Sequence, residues 1–197
     1  MSRPFHPGFV LIELIIVGAV ALLLLTIGVP SLIELTGEFR LRMAADELVS
    51  VLRLARGTAI SRGTQVGVKF FTDPKRVDYA IYLDGDGDGL LTTDIETGVD
   101  LPVTPLLSLR HLGADVRFGF PPGKPPRDPG DPRRRLGNLR DPIRFNRSDI
   151  ASFGPLGEST PGSLYLTDGE RLAVVRLFGR TGKLKILSYD RVGEIWH

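Results

Sequence analysis

The sequence predicts an α+β protein: a long N-terminal helix, first apolar and then amphipathic, packed on a small antiparallel β-sheet head. Residues Leu14 to Ile33 include no charged side chain, and beyond them apolar residues recur at helical spacing as far as Ala59. After Gly63 the pattern changes to short β-like runs separated by turn residues.

The uncharged run LIIVGAVALLLLTIGVPSLI is long enough to cross a bilayer core as a helix. A secretory signal peptide would have a shorter apolar region ending in a small-residue cleavage site, whereas here Pro30 is followed directly by more apolar helix. Arg3 and the chain terminus are the positive groups before the run, and Glu34 and Glu38 come first after it. The positive-inside bias therefore places the N-terminus in the cytoplasm and the rest of the protein outside.

Past Pro30, the residues Leu32, Leu35, Phe39, Met43, Leu48, Leu52, Ala55 and Ala59 recur at intervals of three to five residues with charges between, which reads as an amphipathic helix. Pro30 has no amide hydrogen to donate and should loosen the helix locally, and Gly57 and Gly63 mark its stopping region. From Phe9 to Arg62 such a helix is roughly 80 Å long at 1.5 Å per residue. The expected division is a segment 9–33 in the membrane, an amphipathic continuation 34–62, and a β-rich head 63–197.

Within the head, Gln65 to Phe71 and Val77 to Leu83 read as a hairpin about the turn Thr72-Asp73-Pro74-Lys75. Further strands are expected at Asp115 to Phe120, Ile143 to Asn146, Ser163 to Thr167, Leu172 to Phe178 and Lys183 to Tyr189, with turns at Asp168-Gly169 and Thr181-Gly182. Spacing alone also fits a small barrel, but the apolar face of the long helix needs a partner and favours sheet against helix. Residues 121–142, PPGKPPRDPGDPRRRLGNLRDP, are crowded with proline, glycine and arginine and should form a mobile loop that buries almost nothing apolar. That loop reads as a solvated insertion or, through Arg133-Arg134-Arg135, as a contact arm for anionic partners.

Composition excludes several function classes. The 197 residues carry 25 basic and 23 acidic side chains, a balance too even to argue for nucleic acid from net charge. Without cysteine there is no disulfide, thiolate metal site or thiol nucleophile, and His6, His111 and His197 are too scattered to suggest a histidine metal cluster or triad. No nucleophile elbow, phosphate loop or zinc spacing occurs, so enzyme activity is not expected.

Glu13 stands one turn inside the apolar segment, where a lone carboxylate costs a few kcal/mol by insertion scales unless it has a partner or reaches the headgroups. Its surroundings, Gly8-Phe9-Val10-Leu11-Ile12-Glu13-Leu14, resemble the leader signal of type IV prepilins and type II secretion pseudopilins. That resemblance implies a leader 1–8 cut after Gly8 by prepilin peptidase, N-methylation of the new N-terminal Phe9, and an assembly role for Glu13. Val10 stands where the family usually has threonine. In a filament, a neighbouring subunit's N-terminal amine would neutralise Glu13 and offset its burial.

The closing stretch IRFNRSDIASFGPLGESTPGSLYLTDGERLAVVRLFGRTGKLKI is similar to the GspH/FimT group of minor pseudopilins and minor pilins, with its late G-R-x-R-like strand. The resemblance implies a minor pseudopilin of a type II secretion system, single-pass in the inner membrane with a periplasmic head. Its implied partners are other pilin or pseudopilin subunits, prepilin peptidase, the inner-membrane assembly platform and membrane lipid. The alternative it implies is a minor type IV pilin that binds DNA in natural transformation. The corresponding residues are Gly182-Lys183-Leu184-Lys185, with Arg180 before and Arg191 after. Both motif arginines are lysines here, which keep the charge for counterion release but lose the bidentate fork. A plain exposed strand face, Lys183 and Lys185 outward with Leu184 and Ile186 inward, explains the same residues.

No cofactor is required, and calcium is the one candidate. Asp84, Asp86 and Asp88 alternate with glycines as in the first half of a calcium loop. The twelfth position, however, is Ile95, with Asp94 and Glu96 on either side. A solvated acidic turn is the competing reading.

Overall fold

The computed structural model describes the backbone of residues 7–71, 78–113, 115–179 and 181–197, and within those ranges the side chains of 12–26 and of 36 onward. Helix α1 runs from Pro7 to Arg62, and the chain forms two compact units, Met1–Phe39 and Arg40–His197. In the first unit the large apolar side chains from Ile12 to Leu25 are all more than half exposed. Among the described residues no helix is long and apolar enough to cross a membrane, and those described side chains of the apolar run end at Thr26.

In the second unit the helix has a stripe of buried residues, Leu41, Ala44, Ala45, Leu48, Leu52, Ala55 and Ala59, at the spacing that keeps one helical face turned inward. The four alanines let the sheet backbone come close, while Leu48 and Leu52 fill the space between. Full burial of each leucine contributes about 1.5–3 kcal/mol relative to exposure.

Two antiparallel sheets meet this stripe where one small sheet was expected. The first contains β1 (Val66–Phe71), β2 (Asp78–Leu83), β3 (Leu101–Pro102), β4 (Leu107–Ser108) and β7 (Ile150–Phe153), ordered β3-β2-β1-β7 with β4 also on β2. The second contains β5 (Arg117–Phe118), β6 (Ile143–Arg144), β8 (Gly162–Thr167), β9 (Leu172–Phe178), β10 (Lys183–Asp190) and β11 (Ile195–Trp196), ordered β11-β10-β9-β8-β5 with β6 also on β8. One continuous core joins the helical stripe to both, with Val68 and Phe70 from the first sheet and Leu164 and Val175 from the second. The physical reason for two sheets is β7, which pairs with β1 and carries the chain back to the first hairpin before the last strands form their own meander. Phe70 marks the junction, its ring 6.2 Å from Tyr79, 5.8 Å from Phe118 and 6.0 Å from Phe145.

The segment 121–142 corrects the expectation of a mobile loop that buries almost nothing. Leu136 is only 4% exposed and forms a second core with Tyr165, Leu172, Val174 and Leu187, flanked by Leu139, Tyr189 and Trp196. Its prolines do not stop it docking, because polar groups fasten it: Trp196 Nε1 donates to Arg127 O at 2.7 Å, and the Arg127 amide donates to Tyr189 Oη at 3.2 Å. Thus the second sheet is covered on both faces, by α1 on one and by this segment on the other. The turn 72–75, Val77 and Arg180 lie outside the described residues.

Candidate functional site

Three groups of residues carry chemistry. At the N-terminal end, the backbone of Gly8 and Phe9 belongs to α1, and their side chains lie outside the described residues. Glu13 is exposed between Ile12, 57% exposed, and Leu14, 69% exposed, and makes no ion pair among the described residues. The single chain therefore presents one carboxylate on an otherwise apolar helical surface.

The acidic turn between β2 and the short helix α2 (Thr92–Thr97) has two buried anchors. Asp84 accepts the amides of Gly87 and Gly89, at 2.7 and 3.1 Å, one on each oxygen. Asp100, fully buried, does the same for Gly85 at 3.1 Å and Leu91 at 3.2 Å, which closes the loop at its base. Gly85 is required there, since a Cβ would lie 2.0 Å from Val99 O. Carboxylate oxygens of Asp84, Asp86 and Asp88 come within 4.8 Å of one another, whereas Asp94 and Glu96 stand outside that group. Local desolvation, then the charge of Asp86, its hydrogen bond, and the charges of Asp94 and Asp84 raise the Asp88 carboxyl above its ordinary value. Asp94 Oδ2 is buried with no hydrogen-bond partner among the described residues. Sequence reasoning missed Asp100, whose role depends on the chain returning to the turn after α2.

The third group is basic. Lys183 and Lys185 are exposed on β10, and Leu184 and Ile186 pack toward the core, as the alternation predicts. Opposite Lys185 on β9 is Arg176, then Ser163 on β8 and Arg144 on β6, one cross-strand row over four strands. Lys183, Lys185, Arg176 and Phe178 line an open groove of about 860 Å³. Much of this charge is already engaged. Arg176 Nη1 donates to Pro129 O at 2.8 Å and its guanidinium lies 5.2 Å from the Phe178 ring centre. Arg144 donates to the carbonyls of Gly137, Asn138 and Asp141. Arg191, expected near the lysines, instead donates to Glu170 O and Pro122 O, so the structure does not bring it into the groove. Arg176 and Arg144 were missed because only the strand register puts them in one row with Lys185.

Comparison with known proteins completes the picture. No curated protein sequence matches the chain. A solved structure, the minor pseudopilin EpsH from the Type 2 Secretion System of Vibrio cholerae, shares 14% sequence identity and a TM-score of 0.45 over 76% of this chain and 97% of that one, a likeness too low to argue from. The family described as Type II transport protein GspH matches residues 44–180, from the head-facing part of α1 through β9 and more than half of the chain. On that match, the chain belongs to the GspH family of type II transport proteins.

Proposed function

We propose that this chain is a minor pseudopilin subunit of a type II protein secretion system. It is made as a precursor, cut after Gly8 by prepilin peptidase, methylated on Phe9, held in the inner membrane by residues 9–33 with its head in the periplasm, and assembled with other pseudopilin subunits through the inner-membrane platform. The observation that carries this reading is Glu13 on the exposed apolar helix, together with the family match to the head. An apolar helical surface of that kind is stable only in lipid or against other helices, and a carboxylate on it needs a compensating charge. A neighbour's Phe9 amine supplies one and sets the register of the two helices.

Glu13→Val tests the assembly role. The variant should be processed and inserted as the parent is, because losing an ionisable group eases insertion, yet fail to enter sheared or cross-linked filaments. Glu13→Asp should be intermediate. Recovery of Glu13→Val from filaments at parental yield would refute the registration role.

The alternative is a DNA-binding minor pilin, supported by Lys183 and Lys185 in the basic groove. Against it, Arg191 and Arg144 do not line the groove, and Arg176, Arg144 and Arg191 each already commit a donor to a backbone carbonyl. A strongly salt-dependent mobility shift of DNA by the parent, lost in Lys183→Ala/Lys185→Ala, would favour it. Calcium in the acidic turn is a separate proposal. Asp84, Asp86 and Asp88 are close enough to share an ion, and a divalent cation would relieve the repulsion that raises Asp88.

A further inference from the structure

Two surfaces of the head carry charges of opposite sign that stay unpaired among the described residues. The first is the tip of the acidic turn. Gly85, Asp86, Gly87 and Asp88 are all exposed, and a Cβ on Gly87 would meet nothing within 4 Å. The tip is held firmly from below, because the carboxylates of Asp84 and Asp100 accept the amides of Gly85, Gly87, Gly89 and Leu91. Asp86 and Asp88 therefore stand on a fixed knob, and neither forms an ion pair among the described residues.

The second surface is the groove on the outer face of the second sheet. The segment 121–142 covers that face over Tyr165, Val174 and Leu187 and leaves the end at Lys183 and Phe178 open. Lys183 and Lys185 occupy alternate positions on β10, roughly 7 Å apart along a strand. Arg176 on β9 stands opposite Lys185, and Phe178 opposite Lys183. No acidic side chain lines the groove, and among the described residues neither lysine ammonium has a hydrogen-bond or ion-pair partner.

The two surfaces fit each other. Carboxylate oxygens of Asp86 and Asp88 lie within 4.8 Å of one another, close enough for both to sit among three cations set at strand spacing. Two ammonium groups and one guanidinium, whose Nη1 is already on Pro129 O, would release few counterions from a nucleic acid. A knob that is already rigid, by contrast, loses little freedom on docking. The tip follows β2 of the first sheet and the groove lies on β8, β9 and β10 of the second, so one chain offers the two halves at different places. Contact between such unlike patches leaves a free tip at one end and a free groove at the other.

We propose that the groove over Lys183, Lys185 and Arg176 receives the tip Asp86-Gly87-Asp88 of a second copy of this chain, joining heads in an open-ended row. The contact needs neither cleavage after Gly8 nor Glu13, so it goes beyond the secretion reading and stands or falls separately from it.

The test uses the full chain in detergent micelles, with a chelator present so that no metal ion occupies the turn. A carbodiimide, which joins a carboxylate to an ammonium without a spacer, is added to a mixture of isotope-labelled and unlabelled chains. Mass spectrometry should find Asp86 or Asp88 joined to Lys183 or Lys185 in mixed-label pairs, with a lower yield at high salt. Energy transfer between dye-labelled chains then reads association in the variants. Asp86→Lys/Asp88→Lys alone and Lys183→Glu/Lys185→Glu alone should each weaken it about tenfold or more. Mixed together, the two variants should associate again, since each supplies the half that the other has lost, and that rescue excludes misfolding as the cause. The proposal is overturned if no such link forms, if either variant alone associates as the parent does, or if the mixture stays apart. No link, with a salt-dependent shift of single-stranded DNA in its place, would assign the groove to nucleic acid and equally overturn it.

Discussion

Arg135 Nη2 lies 2.6 Å from Glu194 Oε2, fastening the proline-rich segment to the hairpin between β10 and β11. Glu194 also receives Lys124 at 2.5 Å and Arg127 at 3.2 Å, and it holds this position at φ 53, a left-handed conformation that a glutamate adopts only with local support. Hydrogen bonds from Lys124 and Arg135 hold its carboxyl down from 4.5 to about 2.

The pH dependence follows from that direction. A lowered carboxyl stabilises the docked segment above the unfolded value of 4.5 and loses the contribution as pH falls toward about 2. Amide protection factors across residues 121–142, which discount the intrinsic slowing of exchange in acid, should fall in that acid window in the parent. In Glu194→Gln protection should already be low at neutral pH, with little further change on acidification. Equal exchange in the two proteins at pH 7 would show that the carboxylate does not fasten the segment.

Leu136 supplies the apolar half of the same attachment. Leu136→Ala should cost about 2 kcal/mol or more, read as a lower denaturation midpoint, because the side chain is buried against Tyr165, Leu172, Val174 and Leu187. A change within about 0.5 kcal/mol, the usual range for surface positions, would return the segment to the solvated-insertion reading.

Glu47 joins the helix to the first sheet. Its Oε1 accepts the buried Tyr79 hydroxyl at 2.5 Å, and its Oε2 meets His111 Nε2 at 3.0 Å. Burial first, then the hydrogen bond and charge of Glu47, raise the Tyr79 phenol above its ordinary 10.0. A raised group contributes stability below its unfolded value and loses it as pH rises past that value. Tyr79→Phe should therefore cost about 1 kcal/mol at neutral pH. Above pH 10 the parent should lose stability more steeply than Tyr79→Phe, and parallel alkaline melting curves would contradict this assignment.

Much of this was legible in the sequence, and what was not has identifiable causes. The long helix, the later half of its expected apolar series, Leu48, Leu52, Ala55 and Ala59, and strands β1, β2, β8, β9 and β10 each contain enough residues for a period to show, whereas Phe39 and Met43 of the same series are exposed and Leu41, Ala44 and Ala45 take the inward face there. Strands of two residues, such as β3 and β11, have no period and exist through their partners Tyr82 and Tyr189. The segment 121–142 looked unable to fold because its composition was read without Tyr165, Tyr189 and Trp196, which come from other strands. In the candidate sites the acidic triplet and the lysines were visible as local motifs. Asp100, Arg176 and Arg144 were not, since each reaches its site only through chain return or strand register.

Calcium gives the acidic turn a separate test. Millimolar Ca²⁺ should raise the melting temperature of the parent by mass action, and Asp86→Ala or Asp88→Ala should remove the increase. A melting temperature indifferent to Ca²⁺ in parent and variants alike would leave Asp84 and Asp100 as structural anchors of a solvated turn.

The mass of the N-terminal peptide after co-expression with an active prepilin peptidase decides whether the chain is processed as proposed. The expected result is a mature chain beginning at N-methylated Phe9, with Gly8→Leu accumulating as the uncut precursor. A parent chain that still begins at Met1, or is cut anywhere other than after Gly8, would contradict it.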